Sequence, residues 1–510
     1  MKRGNPIDNS VDNSNNYDSS QKRSKTDDLT LSCNVSLDFI NKCKQEFNSN
    51  QLNILARNAV TSVGAFNAAV DVSEENKINH VFLNTLKPWH LKATNQGHSG
   101  RCWMFAGLNI FRYLLTRALD VVDFEFSESY LFFWDKLERS NTLLQWYIDN
   151  PDSTQYDRTA EYMGPTFLSD GGWWNYFSNL VNKYGLIPKT AMNETYQSWM
   201  SDGMNEILCD RIMSCATQIR KMQSHKSTTR EQLISVKNHT VQQIYDSLVK
   251  FMGQPPEKFD WSFHTHDQQS HTMSSLTPQS FTKLFIEAVD INDFVVLANI
   301  PNKDRPYYKM YEIKDCVNVV GGKSCKILNL PINELKKYAS KSIMKGIPVW
   351  FAGDVRRGFH PYKSALDEKL FNTDLLFGKP HDMTKEEKIL YRITEGNHAM
   401  TLVGVNFDEK GQPERWQVEN SWGYFDYETP GEDGFLSMSN HWFENDLFQI
   451  VIHKNMLSRN ILKKLEEEPI QLEIWDSMAP ALRIKPTDPP KKFNYQLINY
   501  MKKDKNIAFN

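Results

Sequence analysis

The sequence predicts an α+β fold, and three observations carry that prediction. Helix-patterned segments fill the first half of the chain. Strand-like runs cluster in the second half. Two of the late runs are joined by a turn-forming hexapeptide, so they pair as a hairpin. With 510 residues, 40% of them hydrophobic and 13 of them Trp, the chain can bury more than one core.

Residues 1–30 are mainly Asn, Asp, Ser and Lys and predict a disordered polar tail. Order is expected from Leu31, and Val35-Ser36-Leu37-Asp38-Phe39-Ile40 opens a helix pattern. Within segment 31–200, residues 96 to about 200 are expected to be mainly helical, with helices from Cys102 to about Leu119 and from Ser127 to Ile148. The first of these is apolar nearly all round, which predicts a central, buried helix. Residues 201–290 are charge-rich and helix-patterned at Met204–Met222 and Thr228–Met252, which predicts a helical insertion. Pro255-Pro256 ends the second of its helices. Segment 291–470 is expected to be β-rich. Its strand-like runs are Phe294–Ala298, Val349–Ala352, Ala399–Val405 and the alternating Arg415–Asn420. Asp408-Glu409-Lys410-Gly411-Gln412-Pro413 is the turn between the last two. Segment 471–484 follows, and then a Lys- and Pro-rich extension, 485–510, with a short helix expected at Tyr495–Met501.

Composition excludes several function classes. A formal charge of -3 gives no global basic field, which argues against a general nucleic-acid role. No apolar run approaches the roughly 18–20 residues that span a bilayer, so no membrane role is expected. Residues 1–28 have no apolar core of the kind a secretory leader needs. Lys22-Arg23-Ser24-Lys25 reads as a solvated charge run before it reads as an import signal. The seven cysteines (Cys33, Cys43, Cys102, Cys209, Cys215, Cys316, Cys325) are odd in number and scattered, without a CxxC pair. That usage predicts a reducing compartment, the cytosol.

One cysteine stands at a chemically favoured place. Gln96-Gly97-His98-Ser99-Gly100-Arg101-Cys102-Trp103 puts Cys102 at the first turn of the apolar helix. The unpaired N–H groups there favour thiolate, the nucleophilic form. Gln96, six residues upstream, offers a side-chain donor to an oxyanion. A nucleophilic thiol needs a base and a group to orient that base. His398 opens the first hairpin strand and Asn420 closes the second, so antiparallel pairing brings them together. An Asn oxygen can accept the imidazole N–H, and Trp422 can shield that bond from water. Taken singly, a buried Cys is usually a small core hydrophobe, a His beside a strand is usually structural, and an Asn before Ser-Trp-Gly is usually a turn residue. The ordered set is far more specific. His264, His266 and His271 sit in a polar stretch without recognised ligand spacing, so no metal or other cofactor is expected. His98 receives no role.

Gln96 to Trp103, His398-Ala399-Met400 and Glu419-Asn420-Ser421-Trp422-Gly423 resemble the active-site motifs of papain-like cysteine proteases. Ser99-Gly100-Arg101-Cys102-Trp103 narrows the resemblance to the bleomycin hydrolase family. So does the wide separation of Cys102 from His398, against the roughly 130–150 residues of smaller secreted relatives. The resemblance covers roughly residues 35–482. It implies a papain-like fold: a helical domain, a β-barrel-like domain, an inserted helical subdomain and a C-terminal arm in the cleft. By motif it implies Cys102 as nucleophile, His398 as base and acid, and Asn420 as orienter. Gln96 with the Cys102 backbone N–H would form the oxyanion hole. Gly171 and Gly172 would line the substrate cleft. It also implies a cytosolic aminopeptidase acting on peptides as a homohexamer.

Ile474–Leu482 resembles the family's C-terminal arm, whose terminal carboxylate limits how far a substrate enters. Here the chain runs on for 28 residues after Leu482, which puts that gate in question. Self-trimming, displacement or inhibition by the extension are three alternatives. Two rival readings of the whole chain stay open on sequence: a non-catalytic or nucleic-acid-binding oligomeric scaffold on the same fold, and an acyl transferase using the same Cys-His-Asn set.

Overall fold

The computed structural model describes residues 34–86, 91–154, 156–286, 289–423 and 434–483. The tail 1–30, the helix expected at Tyr495–Met501 and the extension 485–510 lie outside the described residues.

The chain divides into two compact units. Residues 34–70 and 372–379 form the first. It holds helices Leu37–Ser49 and Gln51–Val63. Ser36 caps the first helix by accepting from the Phe39 N–H (3.1 Å), and Asn50 caps the second through Leu52 (3.0 Å).

The second unit, residues 71–371 and 380 onward, carries the mixed α+β architecture. The helix beginning at Cys102 spans Cys102–Leu119, and every residue from Cys102 to Thr116 is buried. That agrees with its all-round apolar sequence. Helix Glu128–Asp149 starts where Ser127 accepts from the Tyr130 N–H (3.2 Å). Trp174–Tyr184 packs on both of these helices. Asp202–Gln223 and Arg230–Met252 pair with one another and lie on Glu128–Asp149.

The helical insertion expected over 201–290 is interrupted after Met252. Phe259–His264 and Ser270–Leu276 form an antiparallel hairpin before helix Pro278–Ile286 begins. The reason is visible in the packing. Trp261 is buried against Phe124 and Phe281, so an aromatic alternation outweighs the polar composition of the segment.

Among the described residues the main sheet has twelve strands. Its central strands run in the order Phe294–Ala298, Leu447–His453, Val349–Gly353, His398–Phe407 and Pro413–Glu419. The last two form the expected hairpin, in register Thr401 to Glu419 and Leu402 to Val418. Its turn is held by the Asp408 carboxylate, which accepts from the N–H groups of Lys410 (2.9 Å) and Gln412 (2.7 Å). Gly411 takes a φ of +71° there, a conformation a β-carbon would strain.

Both faces of this sheet are buried, and the pleat sorts its side chains between two cores. Trp350, Ala352, Ala399 and Val451 face the core that contains the Cys102 helix. Val349, Phe351, Met400, Leu402 and Ile450 face a second core, closed by helix Ile332–Met344. No helix among the described residues is long and apolar enough to cross a membrane.

Candidate active site

The Cys102 helix and the hairpin meet edge to end. Thr401 donates its hydroxyl to the Ala106 carbonyl (3.3 Å), and the Trp350 indole N–H donates to the Trp103 carbonyl (3.0 Å). These bonds hold the first helical turn against the strands. The backbone N–H groups of Ala399, Trp103 and Cys102 itself lie near the Cys102 sulfur and favour its charged form. Ala399 directly follows His398, so the thiol lies beside the histidine backbone.

Extending the hairpin register one step past Glu419 sets Asn420 diagonal to His398. The His398 Nε2 and Asn420 Oδ1 are 2.7 Å apart. Oδ1 can only accept, so Nε2 carries the proton and Nδ1 keeps a lone pair. That Nδ1 is buried and has no partner among the described residues. Trp422 stacks on the imidazole at 4.5 Å and 27°, which covers the His398–Asn420 bond from water.

Burial pushes the Cys102 thiol up to about 12, and the three backbone N–H donors pull the other way without cancelling it. Burial likewise takes His398 down to about 4, against the Asn420 hydrogen bond, which raises it. Desolvation outweighs the helix field at this depth.

Gln96 is completely buried. Its Oε1 accepts from the Ser421 hydroxyl (2.6 Å), and its Nε2 donates to the Ser99 carbonyl (2.5 Å). One N–H of the amide remains for another acceptor. Gly172 packs so tightly on Trp103 that a β-carbon would lie 2.5 Å from the indole, and Gly171 is buried beside it. His98 is exposed on the wall of a cavity of about 310 Å³ that borders Ser99, Gly100 and Asp170. The His-rich stretch lies on the hairpin: His266 bonds to Asp120 and His271 stacks on Phe263.

Three supports escaped the sequence reading. Asp170 is buried and accepts from the Gly100 N–H (3.0 Å), the Ser201 hydroxyl (2.5 Å) and Asn205 (2.8 Å), with the Lys136 ammonium at 2.7 Å. Burial would raise its carboxyl, but Lys136 and these donors hold it well below the usual carboxylate range. Arg112, on the Cys102 helix, meets Glu419 at 3.2 Å, and both are buried. That pair ties the helix to the residue before Asn420. Ser421, the partner of Gln96, is the third. The signal available in sequence was position alone: Asp170 precedes the Gly-Gly pair, and Glu419 and Ser421 flank Asn420.

The arm passes close to this site. The Gly396 N–H donates to the Pro480 carbonyl (3.3 Å), and the Gln449 amide donates to the Leu482 carbonyl (2.6 Å). Met478 and Leu482 are fully buried. Arg483 donates to the Thr166 carbonyl (2.6 Å) and the Ser169 hydroxyl (3.0 Å).

The chain is similar to known proteins along most of its length. Aminopeptidase C of Listeria monocytogenes is 36% identical over 388 residues, covering 76% of this chain and 86% of the relative. Bleomycin hydrolase of Homo sapiens is 31% identical over 441 residues, covering 85% and 96%. The crystal structure of PepW from Lactobacillus rhamnosis HN001 superposes with a TM-score of 0.83 at 32% identity, over 88% of this chain and 99% of that one. The sequence profile of the Peptidase C1-like family matches residues 34–479. With its helix-borne thiol, its hairpin-borne imidazole and this span of similarity, the chain belongs to the Peptidase C1-like family.

Proposed function

We propose that this chain is a cysteine-type aminopeptidase in which Cys102, His398, Asn420 and Gln96 perform acyl transfer. The 2.7 Å His398–Asn420 bond beneath Trp422, which leaves Nδ1 as the ring's free base, is the observation that carries the reading. Nδ1 takes the Cys102 proton, and the thiolate attacks the carbonyl carbon of the first peptide bond. The remaining Gln96 N–H and the Cys102 backbone N–H receive the oxyanion. His398 returns the proton to the leaving amine, then activates the water that cleaves the thioester. Asn420 keeps the imidazole in one orientation throughout.

The relatives named aminopeptidase C and bleomycin hydrolase support this reaction class. Gly171 and Gly172 are assigned to the cleft, where substrate backbone approaches closely. The arm from Ile474 to Arg483 is assigned the role of limiting substrate length, because it crosses beside the His398 loop. The family resemblance adds a cytosolic homohexamer, which sedimentation velocity tests.

The deciding experiment is kinetics on free-amine and N-blocked peptides of the same sequence. Aminopeptidase action requires turnover of the free-amine series alone, in full-length protein or in protein cut after Leu482. Equal turnover of blocked peptides by both forms overturns the exopeptidase assignment. Intact-mass measurement of wild type and Cys102→Ala then settles self-trimming. If both retain Asn510, the chain does not cut itself.

A further inference from the structure

The loop before Cys102 contains a buried charge that the reaction does not consume. Arg101 is 0% exposed. Its guanidinium meets Glu194 through two bonds, 3.1 and 2.9 Å. Phe105 and Phe132 lie 5.1 and 5.0 Å from it. The Ser198 hydroxyl donates to Glu194 Oε2 (2.6 Å), the oxygen that also accepts from Arg101 Nη2. Burial would raise the Glu194 carboxyl, yet the Arg101 charge holds it below its ordinary value, so the pair is ionised.

The remaining guanidinium donors act on the loop. Nε donates to the Ser99 hydroxyl (2.7 Å), and Nη2 lies 3.4 Å from the Gln96 carbonyl. The Ser99 hydroxyl donates a hydrogen bond to that same carbonyl (2.6 Å). The Ser99 carbonyl in turn holds the Gln96 amide. An unbroken chain of contacts therefore runs from Glu194 through Arg101 and Ser99 to the amide that is to meet the oxyanion. A planar fork serves three acceptors at fixed angles, and a lysine ammonium could not.

We propose that the Arg101–Glu194 pair positions the Gln96 amide, and so sets the stabilisation of the tetrahedral intermediate without touching substrate. The proposal rests on Gln96 being the oxyanion donor. It separates two properties of the site. Thiol nucleophilicity depends on Cys102 and His398. Oxyanion stabilisation depends on this buried pair.

The test compares Arg101→Lys and Glu194→Gln with wild type, all full-length, after thermal unfolding shows each variant folded. Three readouts are taken: kcat and KM on an aminoacyl-fluorogenic substrate, inhibition by an amino aldehyde, and alkylation of Cys102 by iodoacetamide. The aldehyde forms a hemithioacetal oxygen at the oxyanion position. Alkylation forms none, and it is read on the Cys102 peptide because Cys43 is also an exposed free thiol. The expected result is a fall in kcat of about 10- to 100-fold, a matching loss of aldehyde affinity, and KM and alkylation within about twofold. Alkylation falling with kcat, or kcat unchanged, overturns the proposal. Gln96→Ala separates the two layers. If it leaves kcat and aldehyde affinity unchanged, the oxyanion reading itself fails. If it reduces both while Arg101→Lys and Glu194→Gln do not, only the positioning role fails. Should either charge variant not fold, Ser99→Ala removes the link alone. It must then show the same pattern at smaller amplitude, and unchanged kcat overturns the proposal.

Discussion

The two halves of the active site are held in place by different physics. The Cys102 side is anchored by buried charge: Arg101 on Glu194, and Lys136 on an Asp170 that also receives the Gly100 N–H. The His398 side is anchored by a hydrogen-bonded ladder, with neighbours at register positions 353, 352 and 351 and an indole stacked over the ring. A loop entering a helix has no ladder to fix it, so charged clips must hold it. A strand end inherits its place from the sheet. The helix side should therefore respond sharply to loss of a single charge, and the sheet side mainly to loss of packing or cover.

The largest expected effect lies at the point where the halves meet. Cys102→Ala should lower kcat/KM by at least ~10⁴-fold, about 5.5 kcal/mol, with unchanged circular dichroism. Turnover that survives this substitution ends the thiol mechanism. Next comes the charge-anchored side. Asp170→Ala leaves the Lys136 ammonium buried and unpaired, at a cost of roughly 3–5 kcal/mol in denaturant unfolding. A loss below about 1 kcal/mol would show that water reaches Lys136 and that the contrast between the halves is false.

The sheet side offers a pH signature. His398 titrates near 4 when folded and near 6.5 when unfolded. As pH falls from 6.5 toward 4, the unfolded chain takes a proton that the folded chain does not, so stability drops. Between pH 7 and pH 4 wild type should lose about 3 kcal/mol more than His398→Gln. Parallel curves for the two proteins would place the imidazole in contact with solvent. The smallest effect is expected from the aromatic cover. Trp422→Phe keeps a ring over His398 and should cost less than tenfold in kcat, whereas Trp422→Ala should cost ~10-fold, about 1.4 kcal/mol. A fast Trp422→Ala enzyme would remove shielding from the account.

The elements that sequence revealed were those whose signal is local. Cys102–Leu119 is apolar nearly all round, and Arg415–Asn420 alternates with period two, so each declares its class without knowledge of its neighbours. The hairpin followed from the Asp408–Pro413 turn. The hairpin at 259–276 was hidden, because its strands bear polar residues and are held by Trp261 against Phe124 and Phe281, partners far away in sequence. The depth at which Cys102 is buried was hidden for a related reason. A helix end can be read from sequence, but the depth of burial that opposes its field cannot.

By itself the sequence named the candidate reacting groups. Cys102, His398, Asn420 and Gln96 stand in motifs whose local chemistry and order named them, and Asp408 and Gly411 wrote the turn that pairs two of them. Tertiary structure alone decided what holds these groups and at what charge. Arg101 with Glu194, Asp170 with Lys136 and Arg112 with Glu419 are pairs separated by tens to hundreds of residues. Coulombic attraction and desolvation depend on distance and burial, and neither is a property of position along the chain.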